Sequence, residues 1–216
     1  MKKRILAVAV LGSLLTSVAS AQSSSFNNGS DGWRIGELYG TGGGNRAATF
    51  LSDGFVQTSD AYGWNAYWAP EQYLGDKSSY YGGNLSLDLR VSDANDVFHP
   101  TLLISDGTTR LQYRFDAPET WWDTYVIPLS EDGWEMARFD GSAGAPVSHA
   151  LFMQVLSNLA FIHVDADWKS SGGHVDLDNV RMGTNARAVV TPEPVPLALL
   201  ATGALGLGLV ATRRRD

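Results

Sequence analysis

The sequence predicts an all-β fold, a two-sheet sandwich interrupted by one short helix, and three observations predict it. Aromatic residues make up 11% of the 216, in keeping with the aromatic enrichment of strands. Glycine clusters cut the chain into short apolar stretches, as turns between strands do. Leu85, Leu87 and Leu89 alternate with Ser86, Asp88 and Arg90, the period-2 pattern of a strand with one buried face.

The elements follow in order. Asp31-Gly32-Trp33 reads as a turn leading into a strand that carries Trp33 and Ile35. Residues 41–45 are a glycine-rich surface loop; neither a Gly-Lys-Ser/Thr signature nor a following helix marks them as a phosphate cradle. Short strands are expected at 50–56 and 61–69, and the leucine-alternating strand follows. Residues 99–104 and 110–115 flank Asp106-Gly107 and form a hairpin. A strand over 121–127 is ended by Pro128, which cannot donate to a ladder. Ser148 is placed to cap a helix whose Leu151, Phe152, Val155, Leu156 and Leu159 fall at helical spacing. Strands over 160–168 and 175–182, separated by a turn at 169–173, close the pattern. Eight or nine strands with one late helix fit a jelly-roll β-sandwich.

Both ends of the chain stand apart. Lys2-Lys3-Arg4, the apolar stretch 5–18 and the small residues Ala19-Ser20-Ala21 make a signal peptide over 1–21, with the mature chain starting at Gln22. At the other end, Pro192-Glu193-Pro194 precedes an uncharged apolar run over 195–212 and then Arg213-Arg214-Arg215. As a helix that run spans roughly 27 Å, just enough for a bilayer core, and the arginines behind it would stay cytoplasmic. Residues 191–216 resemble the PEP-CTERM sorting signal of Gram-negative bacteria. The resemblance implies passage through the inner membrane, recognition and cleavage by an exosortase-type membrane protease, and delivery to the cell surface or an extracellular matrix rich in exopolysaccharide.

Residues 22–190 remain as one domain, large enough to bury a core without staples. The whole chain carries −7; without its two ends, 10 basic residues face 21 acidic ones and the charge becomes −11. Such a domain repels phosphate backbones, so nucleic acid is excluded as a partner, whereas cations and neutral sugars suit it. With no cysteine, disulfides, thiol catalysis and thiolate-bound zinc are excluded.

A second resemblance covers most of residues 31–182. Pro70, Tyr73-Leu74-Gly75-Asp76-Lys77, Tyr81-Gly82-Gly83, Leu85 and Leu87 resemble the laminin B domain, also called laminin IV type A. Residues 152–159 are similar to its helix, Leu177-Asp178-Asn179-Val180 to its closing strand, and Gly133-Trp134 to its glycine-tryptophan turn. The resemblance implies a jelly roll related to carbohydrate-binding modules, without catalytic activity.

Candidate sites are few. No Gly-x-Ser-x-Gly elbow or His-Glu-x-x-His helix is present, so no catalytic residues are assigned. In the last two strands, Ile162, Val164, Ala166 and Trp168 alternate with His163, Asp165 and Asp167, while Val175 and Leu177 alternate with His174, Asp176 and Asp178. If these strands pair directly as a hairpin, Asp165, Asp167, Asp176 and Asp178 share one face, either solvated or bridged by Ca²⁺. The module resemblance separately implies a structural Ca²⁺ at Asp178 and Asn179, helped by Asn27 or Asp31. The break in alternation at Asn179 and Val180 predicts a bulge.

For glycan binding the candidates are Trp64, Trp68 and Trp122. Neighbouring strand residues point to opposite faces, so one of Tyr67 and Trp68, and one of Trp121 and Trp122, must leave the core. The sequence therefore reads as a non-catalytic, exported surface or matrix protein that binds glycans or adheres. The alternatives are a structural matrix protein working through protein contacts, and a polysaccharide hydrolase with two converging carboxylates.

Overall fold

A computed structural model describes residues 20–40, 46–59, 63–93, 101–167 and 173–184. The sorting-signal residues Pro192, Glu193, Pro194 and Arg213–Arg215, the signal residue Ala19, and Trp168 and His99 lie outside the described residues. Among the described residues no helix is long and apolar enough to cross a membrane.

Two antiparallel sheets form a jelly-roll sandwich. The first contains β1 (Gln22–Ser24), β4 (Thr49–Leu51), β5 (Phe55–Ser59), β7 (Asn84–Val91), β10 (Asp123–Pro128) and β13 (His174–Gly183). Its order is β10-β7-β13-β5-β4, with β1 on β13. The second contains β2 (Arg34–Glu37), β3 (Arg46–Ala47), β6 (Asn65–Trp68), β8 (Thr101–Ser105), β9 (Arg110–Arg114), β11 (Trp134–Met136) and β12 (Phe161–Asp165), in the order β11-β9-β8-β12-β6-β2-β3. The helix α1 (His149–Leu156) begins where expected, with Ser148 Oγ accepting from the Leu151 N–H at 3.3 Å.

The core forms where the alternating faces meet. Leu85, Leu87, Leu89 and Val91 point inward from β7, and Val175, Leu177, Val180 and Met182 from β13; Leu102, Ile104, Ile162 and Val164 meet them from the other sheet. Tyr67 crosses the sandwich: its hydroxyl on β6 lies 2.6 Å from the Val175 carbonyl and 3.0 Å from that of Val56. One end is closed by aromatics. Trp134 packs on Phe152 of α1 with centroids 5.6 Å apart and donates its indole N–H to the Pro128 carbonyl at 2.8 Å.

The Tyr81-Gly82-Gly83 motif has a steric basis. Gly82 sits at φ +77°, and a Cβ on Gly83 would run into the Gly183 carbonyl and stand 2.8 Å from that of Tyr80. Only glycine lets the chain turn there and enter β7 so close to the end of β13.

Several elements depart from the sequence reading. The expected strand at 50–56 is two strands, because Ser52-Asp53-Gly54 forms a tight turn in which the Gly54 N–H donates to the Leu51 carbonyl at 3.0 Å. Strands β1, β3 and β11 are too short to leave a periodic pattern. The predicted bulge is present: the β13–β7 register shifts between Asp178 and Arg181, with Asn179 at φ 49°.

The largest correction concerns the last two strands. β12 lies between β8 and β6 in one sheet, and β13 lies between β7 and β5 in the other. They are not a hairpin. Their apolar sets do share the core, but across the sandwich, so their polar faces point in opposite directions. Asp165 and Asp176, proposed as neighbours around Ca²⁺, belong to opposite outer faces.

Candidate functional site

The outer face of the first sheet is built by strand register. Arg90 on β7 pairs with Asp176 on β13, and Asp176 pairs with Gln57 on β5. The register of β10 places Asp123 opposite Leu89, so Trp122, one residue earlier, arrives beside Arg90. A row therefore crosses the face: indole, guanidinium, carboxylate, amide.

Its contacts are specific. Arg90 donates to the same Asp176 carboxylate oxygen from Nε at 2.8 Å and Nη2 at 2.7 Å. The other oxygen accepts from Gln57 Nε2 at 2.8 Å and lies 4.0 Å from His174 Nε2. The Arg90 guanidinium stands 4.6 Å from the Trp122 ring centroid and 5.0 Å from that of Phe55, and the two rings meet edge-on at 5.6 Å. Asp176 is only 1% exposed, whereas Trp122 is 37% and Trp121 61% exposed. A buried carboxylate thus fixes a cation, and the cation fixes a ring at the surface.

One step along the same face, Asp88 pairs with Thr124 and with Asp178. Thr124 Oγ1 donates to Asp88 at 2.6 Å, and Asn179 Nδ2 donates to Asp88 at 2.8 Å and Asp178 at 3.3 Å. Burial and the neighbouring Asp88 charge raise the Asp178 pKa. These groups present hydroxyl, amide and carboxylate atoms beside the rings.

This arrangement answers the calcium expectations. The bulge turns the Asn179 amide onto the two carboxylates, filling the place between them with a donor. Asp31 accepts from the Phe26 N–H at 3.1 Å and Asn27 donates to Ser25 at 2.9 Å. Among the described residues no three His, Asp or Glu side chains form a metal-holding group.

The tryptophan candidates fall on both faces. Trp68 lies on the outer side of the second sheet, stacked on His163 at 3.9 Å, so Tyr67 and Trp68 divide between core and outer face as alternation requires. Trp121 and Trp122 do not: both precede β10, and neither enters the core. Trp64, just before β6 of the second sheet, is 41% exposed, whereas Trp122 precedes β10 of the first. His163 is fully buried, Nδ1 2.7 Å from the Leu38 carbonyl, and desolvation lowers its pKa to about 4. Asp165, also buried, has its pKa pushed well up by desolvation.

Phe55, Gln57 and Arg90 were not singled out in the sequence. Alternation places each on the outward side of its strand, but their meeting depends on which strands are neighbours.

Comparison with known proteins places the chain in a family. The mouse laminin subunit alpha-1 is 28% identical over 143 residues, covering 62% of this chain and 5% of that protein. The chain therefore corresponds to a small part of the laminin subunit. The L4b domain of human laminin alpha-2 superposes with a TM-score of 0.51 at 20% identity, over 56% of this chain and 70% of that one. A family 11 carbohydrate-binding module from Clostridium thermocellum has a TM-score of 0.41 at 17% identity, over 79% of this chain and 91% of that one. The sequence profile of Laminin B (Domain IV) matches residues 66–195, from β6 through the helix and the bulged closing strand. The chain belongs to the laminin B family.

Proposed function

We propose that this chain is an exported, non-catalytic glycan-binding module of a cell surface or extracellular matrix, and that it binds neutral polysaccharide on the outer face of the first sheet. The observation that carries the reading is the row Trp122–Arg90–Asp176–Gln57. It combines an exposed ring, held in place by an arginine anchored on a buried carboxylate, with hydrogen-bonding groups at one level. A sugar ring offers an apolar face for stacking and hydroxyls for such groups. The charge of −11 on residues 22–190 disfavours polyanionic chains. An extracellular setting agrees with membership of the laminin B family.

The two ends supply the route. Residues 1–21 direct export, and residues 191–216 hold the chain in the inner membrane of a Gram-negative bacterium until an exosortase-type protease releases it. The partner at the destination is exopolysaccharide.

The test is affinity electrophoresis of the full chain through gels containing mixed-linkage β-glucan, agarose, xylan or polygalacturonate. Retardation by a neutral polymer and not by polygalacturonate is expected. Trp122→Ala should weaken it about tenfold or more, since a well-packed aromatic contact is worth roughly 1–2 kcal/mol. Free migration of the wild type in every gel would leave the structural, protein-contact role instead. For the route, surface material should lack residues 195–216 by mass spectrometry.

A further inference from the structure

The large apolar side chains left exposed among the described residues are Phe50, Trp64, Tyr81, Trp121, Trp122, Phe139 and Val126. All but Val126 are aromatic, and an exposed ring can stack on the apolar face of a sugar. Trp121 and Trp122 belong to the site above. Trp64 and Phe139 do not: each packs on Tyr39 over the other sheet.

Three loops bring rings together there. Tyr39, just after β2, lies 5.2 Å by centroids from Trp64, just before β6, and 5.2 Å from Phe139, after β11. The interplanar angles are 52° and 47°, so the rings form a shallow cup and not a flat stack. Phe139 is 69% exposed and Trp64 41%.

The loops are tied down from below. Arg110 on β9 donates from Nη1 to the Tyr39 carbonyl at 3.0 Å, and its guanidinium lies 5.4 Å from the Phe139 centroid and 5.6 Å from that of Phe161. The Tyr39 hydroxyl donates to the Arg138 carbonyl at 2.8 Å. The Leu38 N–H donates to the Trp64 carbonyl at 2.8 Å. Beneath them Leu38, Ala66 and Leu103 form a small apolar cluster of their own. At the rim, Arg138 and Asp140 are exposed and 3.7 Å apart, a guanidinium donor and a carboxylate acceptor ready for neighbouring hydroxyls.

From this juxtaposition we infer that the Tyr39–Trp64–Phe139 cup is a second neutral-glycan site, and that the module is bivalent and cross-links polysaccharide chains. The inference rests on the glycan reading above and extends it to the opposite face. The three rings are anchored by the Arg110–Tyr39, Tyr39–Arg138 and Leu38–Trp64 hydrogen bonds, which lowers the ordering cost left for binding. The rim supplies both partners a sugar hydroxyl needs, and the acidity of the domain again favours an uncharged chain. Outer faces of a sandwich point away from each other across two packed sheets about 10 Å apart. A glycan lying along one face does not reach the other, so two occupied sites join two strands of polymer. That is a mechanical role in a matrix, gained without oligomerisation.

The test uses the full chain, the neutral polysaccharide that retards it, and a soluble oligosaccharide of the same polymer. Calorimetric titration should give two oligosaccharides per chain for the wild type and one each for Trp122→Ala, Trp64→Ala and Phe139→Ala. Turbidity from cross-linked polymer should appear with the wild type and vanish in all three variants, although each still binds. Phe139 is so exposed that its loss leaves the fold intact, which near-ultraviolet circular dichroism checks. One oligosaccharide per wild-type chain, with binding abolished by Trp122→Ala alone, overturns the second site and leaves the proposed function standing. Unchanged stoichiometry in Trp64→Ala and Phe139→Ala overturns it equally. No binding by the wild type to any polymer removes both readings together.

Discussion

Replacing Arg90 with methionine keeps most of the aliphatic stem and removes the guanidinium. Asp176, 1% exposed, then loses two hydrogen bonds at 2.7 and 2.8 Å from one cation and keeps only Gln57 Nε2 at 2.8 Å beside the more distant His174. Stripping one partner from a fully buried pair costs about 3–5 kcal/mol. Arg90 itself is 32% exposed, so solvent already screens part of the pair. The expected loss is therefore about 2–3 kcal/mol. Asp176→Asn frees a cation that water can reach, and should cost about 1 kcal/mol. The double variant should be better than the sum of the two, because neither a bare buried carboxylate nor an idle cation remains. Urea denaturation of the four proteins at pH 7 measures this cycle. The readout extends to the site: Trp122 loses the cation 4.6 Å from its ring, so glycan retention should fall in Arg90→Met even where the fold is intact. An Arg90→Met loss below about 0.5 kcal/mol, with strictly additive effects, would show that the pair does not hold the row together.

Three further outcomes follow from other parts of the molecule. Gly83→Ala should cost more than about 3 kcal/mol or abolish folding, because the new Cβ meets the Gly183 and Tyr80 carbonyls, whereas Gly82→Ala, strained only by its positive φ, should cost about 1 kcal/mol; thermal melts distinguish them at about 2–4 °C per kcal/mol. Tyr67→Phe should lose about 1–2 kcal/mol in urea, since a buried hydroxyl bond between the sheets disappears. His163 is held neutral with its pKa lowered to about 4. Its contribution is complete above the unfolded value of about 6.5 and is lost as pH falls toward 4, up to about 3 kcal/mol. Asp165, with its pKa raised, acts in the opposite direction, losing stability as pH rises above about 4. The measurable quantity is thus the difference between wild type and His163→Gln, which should shrink on acidification from pH 7 to 4.5; a pH-independent difference would contradict it.

Local chemistry made much of the fold legible. The alternation over β7, the Ser148 cap, the turn at Asp106-Gly107 and the broken alternation at Asn179 each rest on neighbours within a few residues. Each is present in the structure. The hairpin of β12 and β13 failed for the complementary reason. Two successive strands with matching patterns can pair side by side or face each other across a core, and alternation is identical in both cases. The site shares that ambiguity: Trp122 was visible as a surplus ring, while Phe55, Gln57 and Arg90 became meaningful only as cross-strand neighbours.

By itself, then, the sequence determined a cysteine-free, acidic, all-β domain with one helix and the glycines its turns require. Those features depend on side-chain volume, charge and backbone freedom, which are properties of residues and short windows. Only the tertiary structure decided that β13 lies between β7 and β5, that Asp176 meets Arg90 instead of Asp165, and that the exposed rings divide between two opposite faces. Strand order joins residues far apart in the chain: Gln57 and Asp176 are 119 positions apart. Their pairing is set by which apolar faces must close a common core, a condition the whole chain satisfies at once.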